Sequence, residues 1–286
     1  RRFGKSLTIS MLENYYDIKK KDEFESLFGK LYIGENPTPE RNSYLILHLN
    51  FAMISAGLDD YKNGLDAHCC NKFNLFCNRY ANLLPPDVKK EMNQKEDAVA
   101  QLGFLCDQCA EAGLKIYLFI DEYDNFTNMI LSNEKHLVRY RKQTHGEGYL
   151  RKFFNTIKGA AGGSLARVFV TGVSPVTMDD LTSGFNIGTN YSLSPCFNDL
   201  TGFTEEEVRE MLEYYTGILP FNHTIHELLH VMKQWYDNYC FAEEEYGKST
   251  MYNSVMVLNF LTNYIDSGCR IPKKMVEPNI RMDYDK

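Results

Sequence analysis

No apolar run in this chain approaches the roughly 20 residues that a helix needs to cross a bilayer, and no signal peptide is visible. A membrane partner is therefore not expected. Positive charge is also in short supply. The 31 lysines and arginines face 38 aspartates and glutamates, and a net charge of -7 gives no broad footprint for a nucleic-acid backbone. There is no internal repeat, no low-complexity tract and only one tryptophan, Trp235, which is expected as a core anchor. Although there are eight cysteines, they lack a framework. Cys106 and Cys109 have the spacing of half a metal site, but no second pair exists, and three residues apart on a helix simply means one shared face. These two, and the cluster His68-Cys69-Cys70 with Cys77, are expected as core thiols, which suits a reducing cytoplasm.

What is present points elsewhere. With 286 residues, 44% of them apolar and 24% charged, the chain can build the core of one large domain or two ordinary ones. Gly4-Lys5-Ser6 has the ending of a phosphate-binding loop. Glycine lets the backbone approach the phosphates, lysine neutralises their charge, and the serine hydroxyl can ligate Mg²⁺. An exposed basic turn is the plainer reading of the tripeptide alone. The residues that follow favour phosphate, because Leu7, Met11, Leu12 and Tyr15 recur at helical spacing, so a helix begins at the lysine and turns its amide-rich N-terminus to an anion. The first glycine of the full loop pattern would precede Arg1, which places the feeding strand outside this sequence and predicts weak or absent ATP binding by this stretch alone.

Further along, Tyr44 to Phe51 reads as a buried strand, in which His48 is a strand residue rather than a ligand. Helices are expected over 58–84 and 87–112, parted by Pro85-Pro86. The strand Lys115 to Ile120 then runs into Asp121-Glu122, a helix covers 148–158, and Ala166 to Gly172 forms another strand. Strands alternating with helices give an α/β fold whose mostly parallel sheet is flanked by helices. Ligands collect at the carboxyl ends of such strands, where Asp121, Glu122 and Thr171 would emerge. One acid can hold a metal's water shell and its neighbour can orient an attacking water, while Thr171 is placed to sense a γ-phosphate. Two acids at a solvated loop and an ordinary strand threonine are the plainer alternatives. From Thr204 the text turns helical: Thr204-Glu205-Glu206-Glu207 fits a capping box, and apolar periodicity recurs over 225–232 and 254–265. Two domains are expected, 1–203 and a helical region 204–286.

Arg1-Arg2-Phe3-Gly4-Lys5-Ser6 and Asp121-Glu122-Tyr123-Asp124 resemble the two signature blocks of the prokaryotic-type AAA-ATPase-like family. The similarity continues through Thr171-Gly172-Val173-Ser174-Pro175, Ser183-Gly184-Phe185-Asn186, Gly202 to Val208, Trp235-Tyr236-Asp237-Asn238-Tyr239 and Tyr252-Asn253-Ser254. The resemblance implies a P-loop NTPase of the additional-strand type, its N-terminal strand missing here, followed by a helical lid. It implies ATP and Mg²⁺ as ligands, with Gly4, Lys5, Ser6 and Leu7 at the nucleotide, Ser6 and Asp121 at the metal, and Glu122 as the base or water-orienting group. Two departures, Asn238 where relatives often have glycine and Ser254 where proline is usual, fall in the helical region.

The expected activity is Mg-dependent ATP hydrolysis coupled to conformational change or assembly, with a homo-oligomer or another protein as partner. Arg139, Arg141, Arg151 and Arg167 are the candidates for an arginine lent to a neighbouring site. A nucleotide-gated scaffold with negligible turnover is the first alternative. The second is the motor of a longer nuclease, since many relatives carry a restriction-endonuclease-like domain; nucleic acid would then be reached only through that downstream part.

Overall fold

The computed structural model describes residues 3–54, 60–125, 148–172, 188–237 and 239–276. Contacts divide the chain into two compact units, Ile9–Gly188 and a second that joins Arg1–Thr8 to Thr189–Lys286.

Among its described residues, the unit Ile9–Gly188 has three parallel strands, β1 (Leu45–Asn50), β2 (Ile116–Asp121) and β3 (Leu165–Val170), in the order β1-β2-β3. In the register, Asn50 stands opposite Asp121, and Ile120 opposite Val170. Its described helices are α1 (Lys5–Tyr16, from Ile9 onward), α2 (Phe24–Phe28), α3 (Tyr32–Glu35), α4 (Tyr61–Arg79), α5 (Val88–Met92), α6 (Ala98–Glu111) and α7 (Tyr149–Ala160). Alternation along the strands sends Leu45, Leu47 and Leu49, with Ile116, Leu118 and Ile120, to one face. There they meet Leu65, Phe73 and Phe76 of α4, Leu102 and Leu105 of α6, and Phe153 and Phe154 of α7. Each such side chain, once fully buried, contributes about 1.5–3 kcal/mol. On the other face Ile46 and Phe119 pack against Ile9 and Leu12 of α1. Helices thus cover both faces of the sheet, and β2 at its centre reads as a continuous apolar run because it is buried from both sides.

Local details correct several expectations. The helix expected over 58–84 is α4, ending at Arg79; residues 55–59 lie outside the described ones. The helix expected over 87–112 is two helices, since Asp97 takes an extended backbone and caps α6 by accepting from the Ala100 N–H at 2.9 Å. In α1 the buried stripe runs through Ile9 and Tyr15, leaving Leu7 and Met11 exposed. As expected, the Cys106–Cys109 pair is buried in the main core, where burial pushes both thiols up to about 12.

The second unit carries α8 (Glu205–Thr216), α9 (Ile225–Tyr236) and α10 (Ser254–Asp266) around Val208, Leu212, Leu228, Met232, Val257 and Phe260. Both α8 and α9 open on complete capping boxes, Thr204 with Glu207 and Thr224 with Glu227. Trp235 is not a core anchor. It is 53% exposed, because the buried stripe of α9 runs Leu228, Leu229, Met232, Tyr236 and passes it by one residue. The adjacent Tyr236 takes the interior position, its hydroxyl donating to the Met275 carbonyl at 2.6 Å.

Candidate functional site

Strand β2 ends on Asp121, which is 1% exposed. The Thr171 hydroxyl, just past the end of β3, donates to Asp121 Oδ1 at 2.6 Å, and the Asn50 side-chain amide, closing β1, approaches Oδ2 at 3.4 Å. The Glu122 N–H also donates to Asp121 Oδ1, at 3.0 Å. Three adjacent strands therefore deliver polar groups to one carboxylate at their carboxyl ends. Hydrogen bonds converging on one carboxylate fix its orientation.

The backbone beyond Asp121 is held as firmly. The Thr171 N–H donates to the Ile120 carbonyl at 2.8 Å and the Tyr123 N–H to the Thr171 carbonyl at 3.1 Å, so the β2–β3 ladder continues on either side of Glu122. Glu122 between them takes φ 52, a left-handed conformation that costs a non-glycine residue about 1–2 kcal/mol. Asp124, fully buried, and Tyr123, 6% exposed, lie against Gly172. A Cβ on Gly172 would come within 2.3 Å of the Tyr123 ring and 2.7 Å of Asp124 Oδ1, so only glycine permits this approach.

Asp121, Glu122 and Thr171 were expected from the sequence, and the fold gathers them at one end of the sheet. Asn50, Asp124 and Gly172 were not assigned roles. For Asn50 a signal existed: a polar residue closes the otherwise apolar Leu45–Asn50 strand. The other expected residues belong to the second unit. There Gly4, at φ +98, precedes the first turn of α1, which carries Lys5, Ser6 and Leu7; Leu7 is 66% exposed. The N–H groups at the start of a helix, with the positive end of its dipole, suit an anion.

Among the arginine candidates, Arg139 and Arg141 lie outside the described residues, as do Val173 to Pro175, Ser183 to Asn186 and Asn238. Arg167 is engaged within its own unit. It pairs with Glu40 at 2.9 Å, and this hydrogen bond holds the Glu40 carboxyl below the usual range. His48 behaves as a strand residue, with Nδ1 2.8 Å from Glu13 Oε1. Among the described residues no cluster of three or more His, Cys, Asp or Glu side chains is suited to a metal ion. No described helix is long and apolar enough to cross a membrane.

A three-stranded parallel sheet covered by helices on both faces, with a fastened carboxylate at the carboxyl end of its central strand, defines an α/β protein compatible with a P-loop-like fold. The sequence model of the AAA-ATPase-like family, described as a predicted AAA-ATPase, matches residues 1–182, and the chain belongs to that family. Membership suggests nucleotide binding. No curated protein matches the chain, and neither does any solved structure.

Proposed function

We propose that this chain binds ATP with Mg²⁺ and hydrolyses it, coupling nucleotide state to conformational change in a helical lid formed by 204–286. The observation that carries the reading is Asp121, buried at the end of the central strand yet held as an oriented acceptor by Thr171 and the Glu122 amide. Taking a carboxylate out of water costs free energy, which hydrogen bonds such as those from Thr171 and the Glu122 amide offset. Strand order supports the additional-strand type as well. Because β1 and β3 occupy both edges of β2, a phosphate-loop strand would have to join the sheet elsewhere than beside the acidic strand.

In this reading Lys5 neutralises the β and γ phosphates, while Gly4, the first-turn amides and Leu7 shape the loop around them. The donors expected to hold the metal, the Ser6 hydroxyl and the Asp121 carboxylate, are hard oxygens of the kind Mg²⁺ prefers. Bound Mg²⁺ would supply neutralisation of phosphate charge. Glu122 orients the attacking water and accepts its proton, and Thr171 holds Asp121 in place while reading the γ-phosphate. Glu122→Gln in the full-length protein tests the assignment. Affinity for MgATP should persist while turnover falls about 100-fold or more; unchanged turnover would remove Glu122 from the role. Lys5→Ala should weaken binding itself, and equal affinity there would count against the phosphate loop. Binding without measurable turnover in the unmodified protein would favour a nucleotide-gated scaffold.

A further inference from the structure

Phe3, the residue immediately before Gly4-Lys5-Ser6, is 7% exposed. Its ring meets Tyr239 edge-on, with centroids 4.6 Å apart and planes at 74°, and Phe241 at 5.2 Å and 86°. The backbone is tied as well, since the Gly202 N–H donates to the Phe3 carbonyl at 2.8 Å. Every wall of this socket comes from the same compact unit as Phe3 itself.

The socket is rigid for identifiable reasons. Phe203 and Tyr252 exchange both backbone hydrogen bonds, at 3.0 and 2.7 Å, and the Met251 N–H donates to the Tyr239 carbonyl at 2.7 Å. Asn253, next in the chain, donates its N–H to the Tyr236 carbonyl at 2.8 Å, and its side chain caps α10. Gly202 sits at φ +94 with space for no side chain: a Cβ there would lie 2.9 Å from the Tyr252 carbonyl oxygen and 3.0 Å from the Phe3 ring. Gly202 and the rings of Tyr239 and Phe241 thus converge on one residue that lies outside any helix or strand, and Met251-Tyr252 ties those stretches together through its bonds to Tyr239 and Phe203.

An aromatic ring and a main-chain bond fix the position and direction in which the chain enters the turn at Gly4, and hence the approach of the Lys5 and Ser6 amides. We propose that Phe3 is the positioning residue of the phosphate loop, and that its socket is the contact through which nucleotide occupancy and the helices of its own unit influence each other. The proposal rests on the nucleotide reading above. Thermodynamic reciprocity makes it two-sided: if the socket pre-orders the loop for nucleotide, nucleotide must stabilise the socket by the same factor.

The test uses full-length protein carrying Phe3→Ala, Phe3→Leu, which keeps apolar bulk, and Phe241→Ala on the opposite wall. In Phe3→Ala the KM for MgATP should rise about tenfold or more with kcat within about threefold of the unmodified protein, the pattern of lost loop order rather than lost chemistry. Phe3→Leu should recover most of that loss, and Phe241→Ala combined with Phe3→Ala should add little further. In parallel, the non-hydrolysable analogue of MgATP should slow amide hydrogen exchange at Gly202 and Tyr252 in the unmodified protein and much less in Phe3→Ala. Variants matching the unmodified protein in KM and in exchange would overturn the proposal, as would a fall in kcat at constant KM. If Phe3→Ala fails to fold, Phe3→Leu and Phe241→Ala carry the same comparison. Should the unmodified protein bind no MgATP, the nucleotide reading fails and this proposal with it; intact binding with indifferent variants refutes the socket alone.

Discussion

Replacing Gly172 by alanine probes the candidate site through packing, leaving the Thr171, Asn50 and Glu122 groups that hydrogen-bond to Asp121 chemically unchanged. The added methyl would sit 2.3 and 2.6 Å from two atoms of the Tyr123 ring and 2.7 Å from Asp124 Oδ1, where ordinary contact begins near 3.4 Å. The ring must therefore withdraw by roughly 1 Å. It has little room, being 6% exposed and part of the main core. Overpacking of this kind costs about 1–3 kcal/mol, which for a protein of this size lowers the melting temperature by about 2–10 °C. The strain falls directly beside Glu122, whose left-handed backbone is held through the Tyr123 amide. A displacement of about 1 Å there should reduce ATP turnover by about 10- to 100-fold while affinity changes less. Thermal unfolding and steady-state hydrolysis of the full-length variant check both halves. A melting temperature within 1 °C of the unmodified protein, with turnover intact (roughly equal within error), would refute the packing argument.

Thr171→Val removes the 2.6 Å bond to Asp121 at nearly constant volume, and turnover should fall about tenfold, a loss that Thr171→Ser restores. Thr204→Ala and Thr224→Ala each break a complete capping box and should each cost about 1 kcal/mol in chemical denaturation, additively because they cap different helices. The Glu40–Arg167 pair offers a pH test. Because the folded-state pKa of Glu40 is depressed, its stabilisation is complete above the ordinary glutamate range and vanishes as the pH falls through the lower folded value. Arg167→Gln should therefore lower stability at neutral pH, by under about 1 kcal/mol for so exposed a pair, and make no difference in strong acid.

Much of the architecture follows from residue order. The apolar runs Leu45–Asn50 and Ile116–Asp121 are strands because nothing in them breaks an extended backbone, and the Thr204 box starts a helix through bonds made within four residues. The alternation of strand and helix fixes a parallel sheet, since parallel neighbours need a crossover between them. Even the acidic end of β2 was legible, as two carboxylates closing a wholly apolar strand.

Other features depended on neighbours far away in the chain. Trp235 and Tyr236 are equally aromatic, and which one enters the core was decided by the rotation of α9 against α10, a difference of one residue. Leu7 and Ile9 divide in the same way along α1. Asn50 joins Asp121 only because β1 and β2 pair in one register; a shift of one residue would turn it to the opposite face. The crowding at Gly172 and the socket around Phe3 bring together residues as much as 249 positions apart, as Phe3 and Tyr252 do through Gly202, and no local pattern announces them. Sequence alone thus determined most of the elements and the polarity of their ends, because those rest on short-range backbone preference. Which groups share a carboxylate, a ring contact or a buried face was left to tertiary packing, because such contacts exist only after distant segments have been fixed against one another.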